Sequence, residues 1–385
     1  MTDLVREKRL RLGILFYFSP KWMGGIVYIS NLIKTLDFLK DEDKPEIFLF
    51  YRSDLRRFLC EFDYPYINFI EWSFPSVIKG NILSLLLGKN LFIDKIHNNY
   101  SLDTIFPMHD FPVKTLTKVR LISWWADLQE KYYPEFFTPI QRWGRSLRVK
   151  RIIKNCNILI VSSQAVMDDF ERYYTLHDRL KIYVFHFVSV IDSIGNSFIE
   201  DLRVKYSLPE RYFLVSNQFH KHKNHKVLLL ALSKLKRMGV NVHIAFSGRF
   251  PTAPDSPYLT ELQKLIEDND LHNCITMLGL ISRSDQLLIM RNSQAVIQPS
   301  LFEGWSTVIE DAKSLQVPVI ASNLKVNIEQ LGKNGIYFDP HNPDEIADLI
   351  RNFPERNLND LFYGDYRIRL KEAAIELKSL LAGEN

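Results

Sequence analysis

The sequence predicts an α/β protein built from two Rossmann-like, doubly wound parallel-sheet domains. Three observations carry this expectation. Short apolar runs of strand length alternate along the chain with segments of helical spacing, the order produced when each strand is followed by a crossover helix. Several runs, such as RLGILFYF over 11–18 and VPVIAS over 317–322, are apolar at consecutive positions, as in strands covered on both faces of a parallel sheet. The third is length: 385 residues suffice for two domains of ordinary size, each with its own core.

The first βα unit pairs the strand 11–18 with a helix over 26–39, joined by a loop from Ser19 to Gly25. Gly24 and Gly25 suit a tight turn there, although this is not a G-x-G-x-x-G fingerprint. Further strands are expected at 46–51, 68–72, 103–108, 119–124 and 157–162. His109 and Asp127 follow two of them, and ligands of such sheets collect at the carboxyl ends of strands. The apolar stretch ILSLLLGKNLFI, 82–93, is interrupted by Gly88, Lys89 and Asn90; it is shorter than the roughly 18 residues of a membrane span and reads as a core helix. Residues 124–137, WWADLQEKYYPEFF, offer aromatic faces suited either to sugar C–H surfaces or to packing a domain edge.

A boundary is expected between 184 and 209, dividing the chain into domains 1–195 and 196–365. The second series begins with a strand ending at Ser216 and a helix over 227–235. Strands at 242–247, 275–278, 295–298, 317–322 and 335–338 then alternate with helices at 258–268, 284–291, from about 308, and 343–351, with a last helix over 367–381.

Composition narrows the function. Hydrophobic content of 46% and charged content of 24% are those of a soluble globular protein. A net charge of +4 is too small to argue for nucleic acid. Three cysteines far apart in sequence indicate neither a disulfide framework nor a zinc site, and suit a reducing cytoplasm. The basic amino terminus precedes only a short β-forming run without a small-residue cleavage site, so it reads as a strand and not as a signal peptide. One segment is locally basic: Gln141 to Asn155 carries Arg142, Arg145, Arg148, Lys150, Arg151 and Lys154, with Trp143, Leu147, Ile152 and Ile153 interleaved. It reads as a solvated helix or as a helix lying on the inner face of an anionic membrane.

The chemistry concentrates in VIQPSLFEGWSTVIEDAKSLQVPVIASN, 296–323. This is a strand, a polar turn, a helix and a strand. Such a βα turn aims backbone N–H groups of Gly304, Trp305, Ser306 and Thr307 above the strand ends, where they favour an anion such as a diphosphate. Glu303 and Asp311, with seven residues between them, suit sugar hydroxyls better than phosphates, because carboxylates accept and repel other anions. Taken alone, acids at a helix start can also serve only the macrodipole. A second cluster, Gln218 to Lys226, contains His220, Lys221, His222, Lys223, His225 and Lys226 at a helix start, where acids are the usual choice. An anion held there explains the inversion. The three histidines read alternatively as a metal site, which lacks a carboxylate.

The PSLFEGWSTVIED string resembles the donor-binding segment of the family 4 glycosyltransferases, which carry Glu, seven residues, Glu; here the second member is Asp311, preceded by Glu310. The resemblance implies a GT-B fold with two domains facing a cleft, the last segment, about 366–385, crossing back to the first domain. It further implies a retaining transfer of hexose from a UDP- or GDP-linked donor to a glycan or lipid-linked acceptor in cell-surface polysaccharide or glycolipid synthesis. Glu303 would hold sugar hydroxyls and Asp311 the ribose. Gly24 and Gly25 would approach donor and acceptor, and the backbone at Leu280, just past Gly279, the base. In that family an Arg and, five residues on, a Lys grip the diphosphate; the matching positions are Gln218 and Lys223. Lys221 or His220 then carries the missing charge, or phosphate binding is weaker. Relatives place a His near Ala126, where this chain keeps only Asp127, so Asp127 or His109 is left to assist the reacting hydroxyl. No metal or cofactor is expected, lysine and helix termini neutralising the leaving group. An epimerase of the same fold and a catalytically silent sugar-binding or scaffold protein are the competing readings.

Overall fold

The computed structural model describes residues 9–20, 23–108, 114–191, 198–249 and 257–384. The chain divides into two compact units: Met1–Val188 with Arg367–Asn385, and Ser189–Tyr366. The first crossing lies seven residues ahead of the break after 195 suggested by the sequence.

The first unit holds seven parallel strands, β1 (Arg11–Phe16), β2 (Glu46–Tyr51), β3 (Ile67–Glu71), β4 (Thr104–Phe106), β5 (Arg120–Trp125), β6 (Ile158–Val161) and β7 (Lys181–Val184), in the order β3-β2-β1-β4-β5-β6-β7. The order reverses between β1 and β4. Its helices are α1 (Met23–Leu36), α2 (Val77–Leu87), α3 (Asp94–Tyr100), α4 (Gln129–Tyr132), α5 (Pro139–Asn155) and α6 (Gln164–Tyr173). Thr138 and Gln141 start α5 with a capping box, each side chain accepting from the other residue's amide, and Pro139 occupies the first turn.

Three expectations change here. Gly24 and Gly25 lie in the first turn of α1 and not in the preceding loop, Gly24 exposed and Gly25 buried. β7 had no clear sequence signal, because KIYV is a partly exposed edge strand whose alternation is too short to stand out. The stretch 82–93 is not a core helix: α2 takes its first half and turns Ile82, Leu83, Leu85, Leu86 and Leu87 outward, and only Phe92 and Ile93 enter the core.

The second unit has six parallel strands, β8 (Phe213–Ser216), β9 (Ile244–Ser247), β10 (Ile275–Gly279), β11 (Val296–Gln298), β12 (Val319–Ser322) and β13 (Ile336–Phe338), ordered β10-β9-β8-β11-β12-β13. Its helices are α7 (Ile199–Tyr206), α8 (His225–Arg237), α9 (Pro257–Asp268), α10 (Arg283–Arg291), α11 (Thr307–Ser314), α12 (Lys325–Leu331) and α13 (Pro343–Arg351). Alternate residues of β8 enter different cores. Phe213 and Val215 pack with Leu228 and Phe246, whereas Leu214 packs with Ile309 and Val319. Both faces are therefore covered, which is why these strands read as continuous apolar runs.

The sheet order reverses between β8 and β11, the crevice where ligands of open α/β sheets bind. The loops after these two strands meet there, the Leu301 amide donating to the His222 carbonyl at 2.7 Å. The last helix, α14 (Tyr366–Ala382), lies from Arg367 onward in the first unit. Thr104 Oγ1 donates to the Leu381 carbonyl at 2.8 Å and Arg369 to the His186 carbonyl at 2.8 Å.

Candidate functional site

The site is built by loops at the β8/β11 switch point. β8 ends at Ser216, and Asn217 to Asn224 carry the chain to α8. Gly248, at the end of β9, has φ of +135°, and a Cβ there would lie 2.3 Å from the Asn217 carbonyl oxygen. Only glycine allows that backbone approach. The next amide, Arg249, donates to Gln218 Oε1 at 3.2 Å, bringing a cationic residue beside the position where the resembled family carries arginine. The Gly248 amide also donates to the Gly279 carbonyl at 2.9 Å, and the exposed Leu280 follows that left-handed glycine.

Lys221 to Lys223 form a single 3₁₀ turn, closed by Asn224 in the left-handed region with its amide side chain donating to the Pro340 carbonyl at 2.8 Å. This geometry turns Lys223 onto Glu303, Nζ to Oε1 2.6 Å. Gln298, at the end of β11, donates to the same Oε1 at 2.7 Å and to Ser300 Oγ at 3.1 Å, and its own Oε1 accepts from Asn217 Nδ2 at 3.0 Å. The Glu303 side chain is only 9% exposed. Burial pushes its carboxyl up, but the Lys223 charge and hydrogen bond outweigh burial and hold it below the usual value. It is an ionised acceptor at neutral pH.

The histidines differ from the lysines. Burial, aided by the Lys223 charge, pushes His222 down to about 4 and His225 to about 3, and lowers His220. All three are therefore neutral near pH 7, and the positive charge of this loop belongs to its lysines. The His220 and His222 rings stack at 5.7 Å, and His225 stacks on Phe219 at 4.2 Å. Among the described residues no cluster of His, Cys, Asp and Glu has a metal-binding arrangement.

The turn before α11 is clamped from behind. Ser306 caps the helix, its Oγ accepting from the Ile309 amide, while the Ser306 amide donates to Gln330 Oε1 at 3.2 Å. Gln330 Nε2 donates in return to the Ser306 carbonyl at 2.9 Å and to Glu310 Oε1 at 2.8 Å. The Ser306 amide is thus engaged inside the protein, whereas those of Gly304 and Thr307 have no acceptor among the described residues. Trp305 is half-buried.

The two motif acids occupy different surroundings. Asp311 is held on both oxygens by Arg283, with Nη1 to Oδ2 2.6 Å, and Oδ1 also accepts from the Ser189 hydroxyl. Its side chain is 3% exposed. Glu310 is buried beside it, accepting from Lys313 at 2.9 Å and Tyr366 OH at 2.8 Å. Glu303 faces the basic loop; Asp311 and Glu310 form an internal ionic network.

In the first unit, Asp127 accepts from the Gln129 amide at the start of α4 at 3.0 Å and also from Arg145 at 3.3 Å. Arg145 further donates to Glu130 Oε2 at 2.7 Å and lies over the Trp125 ring. One cation of the basic segment 141–155 is therefore turned inward. His109 lies outside the described residues. Asn217, Gln298, Arg249 and Arg283 were not singled out from the sequence. The available signal for the first two was a lone amide residue at the carboxyl end of an otherwise apolar strand.

Residues 198–376 match the sequence profile of the family described as Glycosyl transferases group 1. Over that segment the chain is similar to this family of glycosyltransferases. It is 25% identical over 231 residues to the O-antigen chain mannosyltransferase RfbU of Salmonella typhimurium, a match covering 60% of this chain and 59% of that relative's length. It is 27% identical over 180 residues to the alpha-D-kanosaminyltransferase of Streptomyces kanamyceticus, covering 46% and 43% of the two chains. The chain thus spans about three fifths or less of these curated relatives. The crystal structure of Anabaena Alr3699/HepE in complex with UDP-glucose superposes with a TM-score of 0.67 at 17% identity, over 98% of this chain and 99% of that one. Its likeness shows the GT-B fold, with two parallel-sheet α/β domains.

Proposed function

We propose that this chain is a retaining glycosyltransferase that moves a hexose from a nucleoside diphosphate sugar to an acceptor hydroxyl. The observation that carries the reading is the Lys223–Glu303 pair, seated on Gln298 and Asn217 where β8 and β11 part. In the reaction the bond between the anomeric carbon and the diphosphate oxygen breaks, and the acceptor oxygen forms the new bond on the same face. The hydroxyl proton leaves to the departing phosphate or to solvent. Negative charge grows on the diphosphate, so donors arranged beforehand at that point lower the barrier. Lys223, Arg249 and the Gly304 and Thr307 amides supply them, with Lys221 at the rim.

Lys223 and Gln298 both bond Oε1 of Glu303, so Oε2 is assigned to hydroxyls of the donor sugar. Asp311 reaches a ribose only by sharing its oxygens with Arg283 and Ser189; its first task is to fix the corner between α10 and α11. A relative that bears the name O-antigen chain mannosyltransferase supports a cell-surface glycan or glycolipid acceptor, and the UDP-glucose held by Alr3699/HepE favours a UDP-linked donor. The outward Arg142, Lys150 and Lys154 of α5 fit contact with an anionic membrane carrying such an acceptor.

The test is a panel of UDP- and GDP-linked hexoses offered with and without candidate acceptors, reading nucleoside diphosphate release and the anomeric configuration of the product. Acceptor-dependent release, abolished in Glu303→Gln, supports the proposal. Release of a free epimerised sugar without acceptor, or a Glu303→Gln variant equal to the wild type, overturns it.

A further inference from the structure

We propose that α2 is a docking element for an anionic lipid bilayer, lying in the boundary between headgroups and acyl chains. Its sequence, VIKGNILSLLL, is apolar nearly all round, yet its inward positions are the small residues Gly80 and Ser84. A Cβ at Gly80 would meet the Phe92 ring at 2.4 Å, and the fully buried Ser84 hydroxyl accepts from the Leu91 amide at 3.1 Å. The large aliphatics are left outside: Ile78 is 74% and Leu86 77% exposed, with Ile82, Leu83 and Leu87 near half.

This inverts the amphipathic order of a water-facing helix. Turning the helix about its axis would not bury the aliphatics, because Phe92 fills the space that Gly80 leaves. Single exposed leucines are ordinary, but a contiguous aliphatic face marks a contact surface.

The charges around the helix favour lipid as its occupant. No aspartate or glutamate occurs from Trp72 to Ile93, while Lys79 and Lys89 flank the apolar face with stems long enough to reach headgroup phosphates. The exposed face is wholly aliphatic, without the aromatic and arginine anchors enriched at protein interfaces. Eleven residues span about 16 Å, roughly half the hydrocarbon thickness, so the helix lies on a bilayer and does not cross it. Among the described residues no helix is long and apolar enough to cross. α5, whose Val149 and Ile152 belong to the core cluster against which Val77 packs, exposes Ile140 and Trp143 as further apolar surface of the first unit.

Vesicle flotation of the full chain tests this without any sugar donor, so its result is independent of the transferase reading. The wild type is expected to float with vesicles containing phosphatidylglycerol and much less with phosphatidylcholine alone. Ile82→Ser with Leu86→Ser should lower flotation roughly tenfold or more with an unchanged melting temperature, both positions being solvent-exposed. Lys79→Gln with Lys89→Gln should remove the preference for anionic vesicles. The proposal is overturned if the wild type binds neither vesicle or if the serine pair floats as well as the wild type. It is also overturned if light scattering shows a dimer that the serine pair dissolves, which would assign the face to a second copy of the chain.

Discussion

Replacing Lys223 by methionine probes the site and its energetics together. The side chain keeps its length and loses its charge, leaving Glu303 with hydrogen bonds from Gln298 at 2.7 Å and Ser300 but no countercharge. Removing one partner of a buried pair costs about 3–5 kcal/mol. The Lys223 side chain is partly solvated at 18% exposure, which places the loss near the lower end, about 3 kcal/mol, or roughly a hundredfold in the ratio of closed to open forms. Hydrogen exchange over 213–237 and 296–314 reads this within the second unit. The sign of the pH dependence is distinctive. In the wild type, Glu303 is held below the ordinary carboxyl value, so its contribution is present above that ordinary value and lost as pH falls through the lowered one. In the variant burial acts without the opposing lysine charge, the carboxyl moves up, and the penalty fades as pH falls and Glu303 takes up a proton. The gap between the two proteins should therefore narrow between pH 7 and pH 4.5, and Lys223→Met with Glu303→Gln should recover most of the loss. A gap that ignores pH, or a double variant no better than the single, would refute the charge-pair account.

Arg283→Ala strands the nearly buried Asp311 with the Ser189 hydroxyl, and should lower stability by about 1–3 kcal/mol in thermal melting. Arg283→Lys should restore little, since a lysine cannot form the two-pronged contact. His225 is buried with its proton affinity pushed down to about 3, so the unfolded chain binds the extra proton. Stability should fall by on the order of 4 kcal/mol as pH drops from about 6.5 to 3, and urea titrations of His225→Phe should lack that component while the stack on Phe219 persists. Arg249→Ala should raise the donor KM about tenfold, some 1.4 kcal/mol of binding, and Gln218→Arg in the same chain should reverse it; an unchanged KM would remove Arg249 from the site.

The alternation of strands and helices and the strand-turn-helix at 296–314 were readable because each rests on local signals: continuous apolar runs, a breaking Pro299, and a polar turn. Lys223 and Glu303 were readable one at a time as charges at helix starts. Their bond was not, since 80 residues separate them, nor was the Asn217–Gln298 contact across 81. The reading of 82–93 as core followed from composition, which records how apolar a segment is and not which side its neighbours occupy. That side is settled by Phe92 pressing on Gly80. Asp311 shows a similar gap: its spacing from Glu303 suggested a shared ligand, but Arg283, 28 residues upstream, holds it.

The two points where the chain changes unit have a consequence for synthesis. The Ser189 amide donates to the Tyr366 hydroxyl at 3.0 Å, so residues 189–366 are an insertion whose ends lie side by side, contiguous and topologically closed. The first unit is split around it, with Leu377, Leu380 and Leu381 buried and the Leu381 carbonyl accepting from Thr104. On the ribosome the early residues therefore emerge first but acquire the packing of α14 only after the inserted unit has been made in full. Chain order and order of completion are reversed, and a released chain cut before 367 should hold a complete second unit and an incomplete first.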